Sequence, residues 1–158
     1  MELPRAAIDH LLDNWPVARL ATLRADGSPV LVPVVFARSG GRLWLPVDGK
    51  PKREHADGEV PELARVANIR RDARVSLLLD QYESDWAGLW WLRLDGTAQP
   101  AGEHAPGFHA ALGALLDKYP QYADTPPFRP GAPPTLIAVS PRRTTSWAAS
   151  ADVVDFLS

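Results

Sequence analysis

Two lysines separated by a single residue are the first candidates for a binding function. The chain of 158 residues has 17 basic residues, but only three of them are lysines, namely Lys50, Lys52 and Lys118. Clustered cations bind phosphate groups through charge-assisted hydrogen bonds, so Lys50 and Lys52 indicate an anion-binding loop. A chance pair on a solvated loop is the alternative, and the pair alone does not decide between the two.

The other side chains with catalytic potential do not form a familiar site. The absence of cysteine excludes thiol nucleophiles, iron–sulfur clusters, Cys-based zinc sites and disulfides. The sequence contains no P-loop, no Rossmann glycine motif and no G-x-S-x-G elbow. The histidines lack the spacing of metal ligands, so no metal site is expected. They are His10, His55, His104 and His109. No residue stands out as catalytic.

Tryptophan is frequent, with six residues in the chain. Trp86, Trp90 and Trp91 lie within one short segment. Successive residues of a strand point to opposite faces, so Trp90 and Trp91 must cover different surfaces. One can fill a core, and the other has to cover an outer surface, a helix or a second subunit. An oligomer is therefore expected, with ordinary packing as the alternative for at least half of these side chains.

The composition is that of an ordinary globular protein. Hydrophobic residues make up 46% and charged residues 23%, which predicts one domain over residues 1–158. The formal net charge of −2 argues against a nucleic-acid partner. No apolar stretch reaches the ~18 residues of a membrane span, and the first residues lack the apolar segment of a signal peptide. A cytoplasmic protein without a membrane partner is therefore expected.

Hydrophobic periodicity and turn residues predict an antiparallel β protein. The Asp26-Gly27 turn and the Ser39-Gly40-Gly41 turn separate three successive strands, which predicts a meander. Pro33 in the second strand indicates an edge or a bulge, because proline cannot donate to a ladder. The predicted strands are Val17–Arg24, Val30–Ala37, Arg42–Val47, Val75–Asp80, Gly88–Ala98 and Thr135–Val139, the last resuming at Thr144–Ala148 after Pro141. The predicted helices are Pro4–Asn14, Pro61–Arg71 and Ala105–Tyr119.

Six strands and three helices in one small chain predict a mainly β fold with flanking helices, in which a six-stranded antiparallel barrel is closed or partly closed. Two sets of motifs then resemble a known superfamily. Ala21-Thr22-Leu23-x-x-Asp26-Gly27-Ser28-Pro29, followed by Pro33-Val34-Val35-Phe36, resembles the pyridoxamine 5′-phosphate oxidase-like split β-barrel superfamily. Four further stretches resemble its branch of oxidoreductases that use the deazaflavin coenzyme F420. They are Pro46–Lys52, Leu63–Ile69, Asp72–Leu77 and the tryptophan-rich Tyr82–Gly96.

This resemblance implies an FMN-binding type of split β-barrel, in which two subunits of a homodimer form the cofactor cleft between them. The residues that match the wall beside the cofactor ring are Pro33, Val34 and Val35. The residues that match phosphate-binding positions are Lys50 and Lys52, with Arg65 and Asn68 as further candidates. The physical chemistry agrees, since a proline-interrupted apolar strand offers a flat wall and a basic loop before a helix offers cations and N–H groups.

The implied activity is hydride transfer between coenzyme F420 and a small organic acceptor that the sequence does not identify. The first alternative keeps the fold and uses FMN, as in the pyridoxamine phosphate oxidases. However, the third strand, Arg42–Val47, lacks the Arg…Lys arrangement by which those enzymes resemble one another. The second alternative is a non-enzymatic flavin or haem carrier or sensor, because the chain has no evident general acid.

Overall fold

The structure is a computed structural model and describes residues 1–48 and 62–157. These residues form a seven-stranded antiparallel sheet with flanking helices, which confirms the mainly β class. The helices are α1 (Arg5–Asn14), α2 (Ala64–Arg71), α3 (Phe108–Lys118) and α4 (Ala151–Leu157). The strands are β1 (Ala18–Leu23), β2 (Pro29–Val34), β3 (Ala37–Ser39), β4 (Arg42–Pro46), β5 (Arg74–Gln81), β6 (Trp90–Gly102) and β7 (Thr135–Ala148). No helix in these two ranges has the length and apolar character needed to span a membrane.

The order of the strands makes the sheet curl into a barrel. Neighbouring strands follow the order β2-β1-β5-β6-β7-β4-β3, so β2 and β3 lie at opposite ends of the sheet. Only Val35 and Phe36 connect these two strands along the chain. Such a connection spans at most about 11 Å, so the two ends of the sheet must come together at this point. No ladder joins β2 to β3 within the described ranges, and the barrel is therefore split between them.

The prediction of six strands was wrong, because the apolar run Val30–Ala37 forms parts of two strands. The chain bends at Phe36, where the Tyr119 hydroxyl accepts a hydrogen bond from the Phe36 N–H at 3.1 Å. The same hydroxyl lies 2.8 Å from the carbonyl oxygen of Pro16 and 2.9 Å from that of Phe36, to which it can donate. The predicted meander was also wrong, since β4 pairs with β3 and β7 and not with β2.

Other predicted elements agree more closely with the structure. The first hairpin is confirmed, with Leu23 opposite Pro29, and Pro33 does lie on an edge strand. The predicted break at Pro141 was wrong, because β7 continues through it. A register shift beside Gly96 accommodates the proline, and Arg142 is the extra residue of the resulting bulge.

The apolar side chains form two clusters on the two sides of the sheet. The barrel interior includes Leu20, Leu77 and Trp90, and helices α1 and α2 pack against it. The second cluster lies under α3 and includes Trp44 of β4. The neighbours of Trp44 in the strand, Leu43 and Leu45, belong to the barrel interior. Both faces of β4 are thus buried, which explains its continuous apolar sequence.

The tryptophan pair follows the predicted alternation. Trp90 is buried in the barrel, where its ring lies 4.7 Å from that of Trp15 in an edge-on arrangement. Trp91 points to the opposite face, is half-buried and pairs across strands with Trp147. The expectation that these two residues cover different surfaces is confirmed.

Candidate functional site

A half-buried arginine at the start of α2, Arg65, is the centre of the candidate site. One terminal nitrogen of Arg65, Nη2, donates to the carbonyl oxygens of Pro46 and Asp48, each at 3.3 Å. The Asp48 carboxylate oxygen Oδ1 lies 3.6 Å from the same nitrogen. The Nε of Arg65 is buried and has no hydrogen-bond partner among the described residues. An unsatisfied buried N–H is costly, so a hydrogen bond from Arg65 Nε to an anionic acceptor would stabilise this arrangement.

The electrostatics around Arg65 combine two cations with one carboxylate. The Tyr122 hydroxyl donates to Asp48 Oδ2 at 3.0 Å, so Asp48 is held between Tyr122 and Arg65. Burial lowers the pKa of Arg65, while the Asp48 charge raises it and a second cation, Arg129, lowers it. Arginine nevertheless stays protonated in proteins. The described residues of this cluster, Arg65, Arg129 and Asp48, therefore carry a net positive charge, which suits an anionic ligand.

Tyr122 keeps its proton in this cluster. Burial first, and the negative charge of Asp48 second, raise the pKa of Tyr122 well above its usual value. The phenol is therefore a permanent hydrogen-bond donor at neutral pH.

Nearby, a parallel bridge between Val47 and Phe128 joins the end of β4 to the segment that carries Arg129. Three separate parts of the chain thus meet at Arg65.

The fold and this cluster can now be set beside known proteins. The family model for pyridoxamine 5′-phosphate oxidase matches residues 4–148. The chain belongs to the pyridoxamine 5′-phosphate oxidase family. No curated protein sequence matches it. The resemblance to the wider superfamily is thereby confirmed, and the split barrel is the fold of this family member.

Solved structures with the same fold come from several bacteria. A conserved hypothetical protein from Mycobacterium tuberculosis is 22% identical, with 93% of this chain and 86% of that chain covered and a TM-score of 0.68. A heme binding protein from Mycobacterium smegmatis is 21% identical, with 94% and 56% covered and a TM-score of 0.67. A FAD-binding protein from Mesorhizobium loti is 19% identical, with 92% and 95% covered and a TM-score of 0.64. At these identities the likeness concerns the fold alone.

The four residues predicted to bind phosphate do not all lie in the candidate site. Lys50 and Lys52 lie outside the described residues, and Asp48 is the last described residue before them. Asn68 is only 6% exposed, and its Nδ2 donates to Thr22 Oγ1 at 3.1 Å. The Asn68 Oδ1 accepts from Arg71 Nη1 at 3.3 Å, so both ends of this amide are engaged within the fold. Of the two further candidates, Arg65 has a buried nitrogen without a partner among the described residues, whereas both polar atoms of the Asn68 side chain are engaged.

The three residues predicted to form the ring wall do not share one face. Pro33 is exposed, Val34 fills the barrel interior, and Val35 is half-buried against the cluster under α3. Tyr122 packs against the same cluster as Val35, and its hydroxyl contacts Asp48 beside Arg65. The cluster under α3 thus connects the Val35 end of the wall to the arginine site.

Sequence reasoning missed Asp48, Tyr122 and Arg129 as members of this site. Asp48 lies within the motif Pro46–Lys52, where it had no role of its own, and Tyr122 and Arg129 lie outside every predicted helix and strand. The spacing of Tyr119 and Tyr122 was the available signal, since residues three apart lie on the same side of a helical turn. Both do lie in or beside the 3₁₀ turn Pro120–Ala123.

Proposed function

We propose that this family member is an oxidoreductase that transfers a hydride between coenzyme F420 and a small organic acceptor. The carrying observation is the buried Nε of Arg65, which has no partner among the described residues and lies beside the chain segment that leads to Lys50 and Lys52. A phosphate oxygen is the acceptor that would satisfy this donor, since guanidinium and phosphate form strong charge-assisted hydrogen bonds.

The chain's own residues would bind and orient the cofactor in this proposal. Arg65, Lys50 and Lys52 would hold its phosphate, and Tyr122 would keep the Asp48 carboxylate turned partly away from the arriving anion. Pro33 and Val35 would offer apolar surface to the ring and exclude water from it. The bound deazaflavin supplies the hydride chemistry, and the protein supplies position and environment.

FMN and haem are the two alternative cofactors. FMN also carries a phosphate, and a structural neighbour is a FAD-binding protein. Another neighbour is a heme binding protein, which favours a carrier or sensor as the second candidate function. Haem would need an axial ligand, for which one histidine suffices, and no histidine is a hydrogen-bond partner of Arg65 among the described residues. We place F420 before FMN because of the motifs that resemble the F420 branch, and we place haem last.

Titration of the purified apoprotein with each cofactor tests the proposal. F420, FMN and haemin absorb at different wavelengths, so each binding curve is measured separately. Binding of F420 at least tenfold tighter than FMN, together with oxidation of reduced F420 by some member of a panel of small acceptors, is the expected result. Tighter binding of FMN than of F420 would identify FMN as the cofactor. Tight binding of haemin alone would contradict the proposed oxidoreductase and support a haem carrier.

The arginine site makes a specific prediction. Arg65→Gln should weaken F420 binding by about 10- to 100-fold, because one charge-assisted hydrogen bond contributes roughly 1.5–3 kcal/mol. Arg70→Gln is the matched control, since Arg70 lies on the same helix but pairs with Glu62 at 2.7 Å on the surface. Arg65→Lys should restore part of the affinity. A folded Arg65→Gln protein with unchanged affinity would remove Arg65 from the site.

A homodimer is the second part of the proposal, with the outer face of β2, β1, β5 and β6 as the contact surface. Leu31 is 69% exposed on the edge strand, and half-buried Leu78 and Trp91 extend the apolar surface across the sheet. In a monomer these apolar side chains would stay in contact with water, which is unfavourable, although Arg19, Asp80 and Arg93 lie between them on the same face. A second copy of the chain is the proposed occupant.

Sedimentation equilibrium at micromolar concentration should give about twice the chain mass of 17.3 kDa. Leu31→Asp should shift the protein toward monomer by raising the dimer dissociation constant at least about tenfold, since it places a charge in an apolar interface. Leu116→Asp is the control, because Leu116 is a partly exposed apolar residue on α3, away from this face. A wild-type monomer that still binds its cofactor would contradict the prediction.

A further inference from the structure

A lysine outside the cofactor site lines a separate open cleft. The cleft has a volume of about 500 Å³ and lies between the end of α1, strand β3 and the last turns of α3. The Nζ of Lys118 reaches into this region, where it lies 3.7 Å from the centre of the Phe36 ring. Its polar contact is a long hydrogen bond of 3.4 Å to the carbonyl oxygen of Leu12. The amine is therefore held over an aromatic face with little polar solvation.

The carboxylates around this amine are committed to another cation. Arg38 on β3 contacts both oxygens of Asp13, at 2.8 and 2.6 Å, and also an oxygen of Asp9. Asp117, next to Lys118 on α3, is exposed. Within the described ranges, no carboxylate forms an ion pair with Lys118. The charges that face Lys118 are thus Asp13 from α1, Arg38 from β3 and Asp117 from α3, and the cleft as a whole is close to neutral.

Burial makes this amine easier to deprotonate than an ordinary lysine. Desolvation lowers the pKa of Lys118 to about 8, although the Asp13 charge opposes the shift. At pH 7.5 about a quarter of such amines are neutral, against about 0.1% for a lysine with the usual pKa. The neutral amine is the nucleophilic form.

We propose that Lys118 is a nucleophilic amine that forms imines with small, uncharged aldehydes that enter this cleft. Ala37 and Ala114 give the cleft apolar walls, and the pairing of Arg38 with Asp13 leaves no unpaired arginine in its described lining to favour an acid. The amine nitrogen attacks the carbonyl carbon, the nitrogen releases its protons to solvent, and the carbonyl oxygen leaves as water. A carbon–nitrogen double bond replaces the carbon–oxygen double bond, and no oxidant or reductant takes part.

Reductive trapping tests this proposal on the full chain without cofactor. Propionaldehyde and cyanoborohydride are added at pH 7.5 with an equimolar reference amine, Nα-acetyl-lysine amide, and labelling is followed by peptide mass spectrometry. Lys118 should be labelled about tenfold faster than the reference, since its larger neutral fraction outweighs its lower basicity.

Two variants test whether the fast labelling of Lys118 depends on the cleft. Lys118→Arg should abolish labelling of that peptide and leave Lys50 and Lys52 labelled as before. Ala114→Leu narrows the cleft and should slow the labelling of Lys118 while the reference amine is unaffected. Labelling of Lys118 no faster than the reference would overturn the proposal, and so would a rate that does not respond to Ala114→Leu.

Discussion

Replacing Lys50 and Lys52 together with alanine should lower the affinity for F420 on the order of a hundredfold or more. Each charge-assisted hydrogen bond to phosphate contributes roughly 1.5–3 kcal/mol, and ~1.4 kcal/mol corresponds to a factor of ten in the dissociation constant. The stability of the fold should hardly change, because lysines on a loop contribute little to folding. Cofactor titration at two salt concentrations measures both effects, since added salt screens the same contacts.

A matched variant controls for charge in this experiment. Lys50→Arg combined with Lys52→Arg keeps both cations and should retain most of the affinity. The affinity of the alanine variant should also depend less on salt than that of the wild type. Unchanged dissociation constants for both F420 and FMN in the alanine variant would return Lys50 and Lys52 to the role of ordinary surface residues.

Gly96→Ala should destabilise the protein by about 3 kcal/mol, near the upper end of what an added methyl group costs in a packed site. A Cβ at this position would overlap the backbone oxygen of Ser140 and lie 3.0 Å from the Cα of Pro141. Both atoms belong to the backbone of β7, so β6 and β7 would have to separate beside the bulge. Urea denaturation followed by far-ultraviolet circular dichroism measures the change.

Gly113→Ala is the matched control for that substitution. Gly113 lies inside α3, and no atom stands within 4 Å of where its Cβ would be. Alanine is the better helix former, so this variant should gain about 0.5–1 kcal/mol of stability. A Gly96→Ala protein as stable as the wild type would mean that the pairing of Gly96 with Pro141 is assigned incorrectly.

Local signals predicted much of the fold, and long-range pairing accounts for most of what they missed. The Asp26-Gly27 turn predicted the β1–β2 hairpin because turn geometry is a local property. The division of the apolar run at Phe36 depends on the Tyr119 hydroxyl, 83 positions away, which no periodicity can reveal. Likewise, Pro141 breaks an isolated strand pattern, but a bulge opposite Gly96 accommodates it in the sheet.

The candidate site was likewise predicted in part from local motifs, while the rest depends on long-range contacts. Motif resemblance named Arg65 as one of two further candidates, and the structure distinguishes it, since its Nε is buried without a partner within the described ranges. Motif position did not distinguish Arg65 from Asn68, whose amide is engaged by Thr22 and Arg71. Tyr122 joins the site through a tertiary contact with Asp48, 74 positions away, so its role could only be seen in the folded chain.

The pairing of β4 with β7 also has a consequence for protein synthesis. Leu43 lies opposite Val139, almost one hundred positions later in the chain. At ~5–20 residues per second, the ribosome would release the first hairpins about 5 to 20 s before the partner strand emerges. During this interval Leu43 and Leu45, which are buried in the finished barrel, lack the partner strand β7. The nascent chain is therefore most vulnerable to aggregation in the middle of translation, and slower growth at low temperature should affect its yield mainly through this interval.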